Sequence, residues 1–182
     1  MTRLSPTTMS KNEQERLLAV TAPHVRDHTV VSLALGTGLR LGELVKLNVG
    51  DIYSADGRPR LRITVRRAVA KRGRVGDLFL PDALIPKLVA FREHKESRGE
   101  SLAPDAPLIC AQGRRRISPR RIQVVYREWQ ERAGFDRLYG FHALRHTSVT
   151  NVYRASRDLF LAQRFARHAS PLTTTIYCHP GD

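Results

Sequence analysis

The 182-residue chain lacks several features that would place it in familiar classes of protein. It has only two cysteines, Cys110 and Cys178, and neither belongs to a CxxC pair, so we expect neither a disulfide scaffold nor a zinc ribbon. No apolar run approaches the roughly 20 residues that a membrane-spanning helix needs. The N-terminal residues also lack the apolar core of a signal peptide. These absences predict a cytoplasmic protein with reduced thiols and no membrane partner.

Acidic residues are scarce as well. Lysine and arginine together number 31 against 17 aspartates and glutamates, which gives a formal net charge of +14 at pH 7. Such an excess indicates a polyanionic partner, with nucleic acid as the first candidate and an anionic membrane surface as the second. Most of the basic residues are arginines, whose planar guanidinium suits phosphate contacts, although genomic base composition also raises arginine content.

The hydrophobic content of 41% is enough for a folded core, and the length suggests a single domain. Ser10 and Glu13 form a capping-box pattern, which predicts that a helix begins at Lys11. Gly36 is the predicted stop of the second helix. The predicted helices span residues 11–21, 25–35, 40–47, 81–97, 118–133, 141–154, 157–166 and 171–177.

One short β-region interrupts the helices. Leu61, Ile63 and Val65 alternate with basic or polar residues, and this period of two predicts a strand with one buried and one basic face. A second short strand is predicted at residues 77–80, with turn signals on both sides of the first. The predicted fold class is therefore mainly α with a small antiparallel β-sheet (α+β).

Four stretches carry the residues that could do chemistry: TGLRLGEL at 37–44, AKRG at 70–73, HALRH at 142–146 and RHASPLTTTIY at 167–177. Each has an ordinary interpretation when taken alone. Arg40 could be a surface arginine paired with Glu43 at i,i+3, Lys71 a solvated lysine beside a turn, and Tyr177 a core tyrosine. His142 and His146 have the i,i+4 spacing of metal ligands, but the HExxH glutamate is missing and nearby acidic residues are few.

Taken together, the two arginines, the histidines, the lysine and the tyrosine suit phosphoryl transfer without a metal ion. Arg40 and Arg145 could neutralise the non-bridging oxygens of a phosphorane-like transition state. A tyrosine nucleophile has an ordinary pKa near 10 and needs a base or strong stabilisation of its anion. A lysine on a flexible turn could protonate the leaving alkoxide.

The order, spacing and flanking residues of these four stretches, from Ser10 to Tyr177, resemble the tyrosine recombinases, a family that includes the phage integrases. The resemblance implies the fold of a recombinase catalytic domain and a catalytic set in which Arg40 and Arg145 clamp the scissile phosphate. The resemblance also implies that His142 is an acid–base group or hydrogen-bond donor near the phosphate, that His168 helps to hold the phosphate, and that Lys71 is the general acid. The same resemblance makes Tyr177 the nucleophile of a 3′-phosphotyrosine and Glu43 the support of the first arginine's helix.

The implied function is site-specific recombination or integration on double-stranded DNA, in an oligomer that forms a tetrameric synapse, without a metal or other cofactor. The alternatives are a type IB topoisomerase-like nicking-closing enzyme, a non-catalytic DNA-binding regulator on the same fold, and a basic nucleic-acid-binding module whose motifs are coincidental. Two departures from the family stand out. Arg167 replaces the glycine that usually precedes His168, a change that could shift the start of a helix or add a phosphate contact. Residues 1–182 are expected to form a single catalytic domain with the N-terminal core-binding domain absent.

Overall fold

A computed structural model describes residues 7–66, 76–168 and 174–175 of the chain. It is mainly helical with one two-stranded antiparallel sheet, which confirms the predicted fold class. Short 3-10 turns at Asp82–Leu84 and Gln112–Arg114 join the larger elements. In chain order these elements are α1 (Lys11–Thr21), α2 (Val25–Thr37), α3 (Leu41–Leu44), α4 (Val49–Ile52), β1 (Arg62–Val65), β2 (Gly76–Phe79), α5 (Ile85–Ser97), α6 (Pro119–Arg132), α7 (His142–Ser156) and α8 (Leu159–Ala166).

Helix starts follow the capping signals in the sequence. The Ser10 backbone N–H donates to the Glu13 carboxylate over 2.7 Å, and the Glu13 N–H donates back to the Ser10 hydroxyl, so the predicted capping box of α1 is confirmed. Ser118 caps α6 in the same manner through the Arg121 N–H, with Pro119 in the first turn.

Several helix boundaries differ from the prediction. Helix α2 continues through Gly36 and ends at Thr37, and Gly38 caps it with a φ of +62°, the left-handed conformation that glycine adopts without strain. Helix α3 is a single turn and ends at Leu44, before the predicted residue 47, and α4 was not predicted. Helix α8 begins at Leu159 because Asp158 accepts hydrogen bonds from the next turn.

The sheet has the predicted alternation over most of its length. Ile63 pairs with Leu78, and both are buried together with Val65. Leu61 was predicted to share their buried face, and this is wrong, since its side chain is 65% exposed. The Leu80 backbone N–H still donates to the Leu61 carbonyl over 2.9 Å, but Leu61 lies outside the paired register and its side chain faces solvent.

Helix α2 lies at the centre of the main core, with Val31, Leu33 and Ala34 fully or almost fully buried. A smaller apolar cluster joins α7 to α8 through Val149, Ala162 and Ala166. This packing fixes the end of α2 against α7 and α8, where the candidate site lies. Over the described residues, no helix is long and apolar enough to cross a membrane.

Candidate active site

The turn between α2 and α3 positions Arg40 at the edge of a cleft. Arg40 is the N-cap of α3, and its backbone N–H donates to Glu43 Oε2 over 2.9 Å. Its side chain donates from Nη1 to Glu43 Oε1 over 3.1 Å. The carboxylate is 3% exposed, whereas the Arg40 side chain is 28% exposed. The buried Glu43 therefore fixes a guanidinium that still reaches solvent.

Arg145 joins three segments that are distant in sequence. It lies on α7 and is 2% exposed. Its Nη1 donates to the carbonyl of Gly38, and its Nη2 donates to the carbonyl of Ala166. A guanidinium stays charged in proteins, so these carbonyls hold a permanent positive charge beside Arg40.

The two arginines open onto one cleft of about 250 Å³ together with His142. His142 is the first residue of α7 and is exposed, so its ring stands at the mouth of the cleft. The other lining residues are Leu39, Leu41, Gln123, Gly140 and Phe141. This arrangement can receive a phosphate group between two cations and an imidazole.

His168 lies behind the arginines, just after the end of α8, with its Nδ1 2.9 Å from the hydroxyl of the buried Thr174. Burial, followed by the charges of Arg145 and Arg40, lowers the pKa of His168 to about 4. The imidazole is therefore neutral at pH 7, with one nitrogen that donates and one that accepts.

His146, which the sequence suggested only as a metal ligand, is a second neutral imidazole in this region. Its ring lies edge-on to that of His142, with 4.4 Å between the centroids. Burial, and then the charges of His142 and Arg145, lower the pKa of His146 to about 4. Among the residues that the structure describes, no group of three or more histidine, cysteine or acidic side chains could hold a metal ion.

Arg167, for which the sequence suggested a shifted helix start or a phosphate contact, makes a different contact in the structure. Its Nη2 donates to Glu43 Oε2 over 2.6 Å, so one buried carboxylate serves two arginines. Burial acts to raise the pKa of Glu43, but the charges of Arg167 and Arg40 and the Arg40 N–H outweigh it and hold this pKa below its usual value. The replacement of the usual glycine was the signal in the sequence that pointed to this position.

The structure brings Arg40, His142, Arg145 and His168 near one another, and their catalytic roles stay predictions. Lys71 and Tyr177 lie outside the described residues, as does nearly all of the predicted helix 171–177, so both assignments stay predictions.

A model of the phage integrase family matches residues 7–182. Tyrosine recombinase XerC of Serratia marcescens is 32% identical over 157 residues, which are 85% of this chain and 48% of that protein. Tyrosine recombinase XerA of Pyrococcus furiosus is 28% identical over 177 residues, or 94% of this chain and 57% of that protein. The chain spans about half the length of the curated relatives it matches.

The fold is also that of solved recombinases. The crystal structure of XerA recombinase superposes with a TM-score of 0.83 at 27% identity, over 99% of this chain and 62% of that one. XerH in a post-cleavage complex with a palindromic difH substrate shares the fold, with a TM-score of 0.79 at 24% identity, over 97% of this chain and 50% of that one. Residues 7–182 therefore belong to the phage integrase family and have the fold of a tyrosine recombinase catalytic domain.

Proposed function

We propose that this chain is the catalytic domain of a site-specific recombinase or integrase, which cuts and rejoins double-stranded DNA through a covalent bond to Tyr177. The observation that carries the proposal is the cleft in which Arg40 and Arg145 converge beside His142. Family membership supports it, as does the difH substrate bound by the structural relative XerH.

The two arginines bind the non-bridging oxygens of the scissile phosphate. Arg145 is preorganised because two backbone carbonyls hold its guanidinium, and Arg40 is preorganised by Glu43. Fixed cations in a partly buried site stabilise the charge of the transition state without reorganising during the reaction. In many nucleases bound metal ions neutralise this charge instead.

The histidines of the site assist as hydrogen-bonding groups. If the Thr174 hydroxyl donates to Nδ1 of His168, the proton of that ring lies on Nε2, which can then donate to a phosphate oxygen. His142, at the exposed mouth of the cleft, is placed to exchange protons with solvent and substrate.

In the proposed reaction His142 takes the proton of the Tyr177 hydroxyl, the tyrosine oxygen attacks phosphorus to form the phosphotyrosine bond, and the bond from phosphorus to the 5′-oxygen breaks. Lys71 gives its proton to the departing 5′-oxygen. Since the phosphotyrosine retains the energy of the broken diester, a 5′-hydroxyl of a second strand can reverse the step without ATP.

Exchange between two duplexes breaks four strands, and one nucleophile per chain implies a tetrameric synapse. No cofactor enters this scheme.

A nicked suicide duplex tests the proposal. Its sequence is taken from inverted repeats in the DNA that flanks the gene. We expect a covalent adduct that peptide mapping places on Tyr177 and that still forms in EDTA. Tyr177→Phe should abolish the adduct with little change in DNA affinity, because one phenolic oxygen adds little to a multi-phosphate interface. Tyr153→Phe is the matched control and should form the adduct normally.

Three outcomes would contradict the proposal. An adduct on Tyr126, Tyr139 or Tyr153 would refute the nucleophile. Loss of cleavage in EDTA, restored by Mg²⁺ or Zn²⁺, would refute the metal-free mechanism. DNA binding without any adduct would indicate a regulator that lacks the chemistry.

A further inference from the structure

Two helices of the described chain end at an arginine in the left-handed conformation. Arg157 follows α7 with a φ of +54°, and Arg167 follows α8 with a φ of +51°. This conformation is strained for any residue with a Cβ, so an arginine there needs a reason that glycine would not satisfy. Arg157 is exposed, whereas the side chain of Arg167 is only 10% exposed. The buried contacts of Arg167 supply such a reason.

The guanidinium of Arg167 contacts the support of Arg40. Its Nη2 donates to Glu43 Oε2, which also accepts the backbone N–H of Arg40. The other oxygen of the carboxylate, Oε1, accepts from the Arg40 side chain. Since Oε2 is occupied twice, Arg40 cannot form the bidentate pair that an arginine and a carboxylate favour. The Arg40 guanidinium therefore remains partly exposed towards the cleft.

The aliphatic stem of Arg167 contacts the β-hairpin at the end next to its connecting segment. A Cβ added to Gly76 would lie 2.9 Å from Cδ of Arg167, so the stem occupies the space that the missing side chain leaves. Gly76 is the first residue of β2 and follows directly on the segment that contains Lys71. Arg167 thus contacts both the α3 turn and the hairpin, and it precedes His168 in the chain.

The three charged groups also change the electrostatics of the cleft. An isolated Arg40–Glu43 pair has a net charge of zero, whereas the set with Arg167 has a net charge of +1. These groups are largely buried, so solvent screens this charge weakly. Within the described residues, Nε and Nη1 of Arg167 are buried and make no hydrogen bond.

We propose that Arg167 is a positioning residue of the phosphate site, which keeps Arg40 turned towards the cleft by occupying one oxygen of Glu43 and adds a net positive charge behind it. The inference rests on the proposed function in so far as the bound phosphate is the scissile phosphate of DNA. A chain with glycine at this position would let Arg40 pair more fully with Glu43.

Inorganic phosphate and the suicide duplex test this with three variants. Arg167→Gly should weaken phosphate binding about tenfold, a usual size for coupling between two sites, as measured by NMR titration of the Arg40 side-chain N–H signal. It should slow adduct formation by up to about 10²-fold, the cost of a small displacement of a catalytic group, with little change in DNA affinity. Arg167→Lys should restore part of the phosphate affinity and part of the rate of adduct formation, since it keeps the charge but not the planar guanidinium.

Arg157→Gly is the matched control, because it relieves the same backbone strain without contacting Glu43, and it should behave as wild type. The inference fails if Arg167→Gly and Arg157→Gly bind phosphate and form the adduct alike, or if Arg167→Gly loses DNA affinity as strongly as rate. If the wild-type chain forms no adduct, the proposed function fails, and the phosphate titration still decides the role of Arg167.

Discussion

At the scale of single residues, the site depends on one buried carboxylate and the two arginines that share it. Glu43 is 3% exposed, and removing one partner of a buried ion pair leaves an uncompensated charge. The arginines are therefore coupled to each other through Glu43 rather than acting as independent surface cations. Substitutions at these three positions should be non-additive in their effect on cleavage.

Lys71 gives the sharpest residue-scale prediction for the reaction itself. If it is the general acid, Lys71→Ala should slow cleavage by about 10²–10⁴-fold, the usual contribution of such a group. A substrate with sulfur in place of the bridging 5′-oxygen should restore near-normal cleavage, because a thiolate leaves without a proton. Gel assays of adduct formation on both substrates measure the rates.

Arg145→Ala is the control for this test. It acts on the non-bridging oxygens, so sulfur at the bridge should not restore its cleavage. Normal cleavage of ordinary DNA by Lys71→Ala would make Lys71 a solvated lysine, and Arg72 or Arg74 would be the next candidate. Equal slowing on both substrates would make it a DNA-binding residue.

Residue chemistry could be predicted from the sequence where partners are near one another. Arg40 and Glu43 are three positions apart, so their pairing follows from helical geometry. The partner of Glu43 at Arg167 is 124 positions away, and only the folded chain shows that the two meet. The neutral state of His168 was equally hidden, because it depends on burial and on arginines from other elements.

At the scale of elements, the end of α2 decides where Arg40 and Arg145 meet. Gly38→Ala should lower the free energy of unfolding by about 1–3 kcal/mol, the cost of a strained backbone conformation. The added Cβ would also lie 3.1 Å from the ring of Phe165 on α8. Urea unfolding curves measure the change.

Gly42→Ala is the matched control in the same motif. An added Cβ at Gly42 would have no described atom within 4 Å, and the residue lies within α3. This variant should keep or gain stability, by up to about 1 kcal/mol. Equal losses of unfolding free energy in the two variants would show that the left-handed conformation of Gly38 does not cause the destabilisation.

Element boundaries could be predicted where a capping side chain marks them. Ser10 and Ser118 mark the starts of α1 and α6, because their side chains accept hydrogen bonds from backbone N–H groups of the first turn. The end of α2 depends on which of two glycines adopts a positive φ. Residue type alone does not distinguish Gly36 from Gly38. Packing decides, since an added Cβ on Gly36 would lie 2.8 Å from Leu84 Cδ1, in space that glycine leaves for that side chain.

At the scale of the whole molecule, the neutral histidines make stability depend on pH. An unfolded histidine titrates near pH 6.5, whereas His146 and His168 in the fold titrate near pH 4. Between these values the unfolded chain holds more protons, so the free energy of unfolding should fall as the pH falls. The slope is at most about 1.4 kcal/mol per pH unit for each histidine, and solvent screening of these half-buried rings reduces it. The large positive net charge acts in the same direction.

His146→Gln should flatten this slope between pH 6.5 and 4, as measured by urea unfolding at several pH values. His24→Gln, the same substitution at an exposed histidine, is the control for the substitution itself. A wild-type chain equally stable across this range would contradict the neutral state of the buried imidazoles.

The hydrogen bonds of Arg145 also determine when the cleft can form during synthesis of the chain. Its two carbonyl partners lie 107 residues upstream and 21 residues downstream. A nascent chain that has emerged only as far as α7 holds the arginine and one carbonyl, but not the other. The phosphate site is therefore among the last parts to be completed, and unfinished or truncated chains lack an assembled centre. For a protein whose proposed chemistry breaks DNA, this order of assembly protects the genome from fragments of the enzyme.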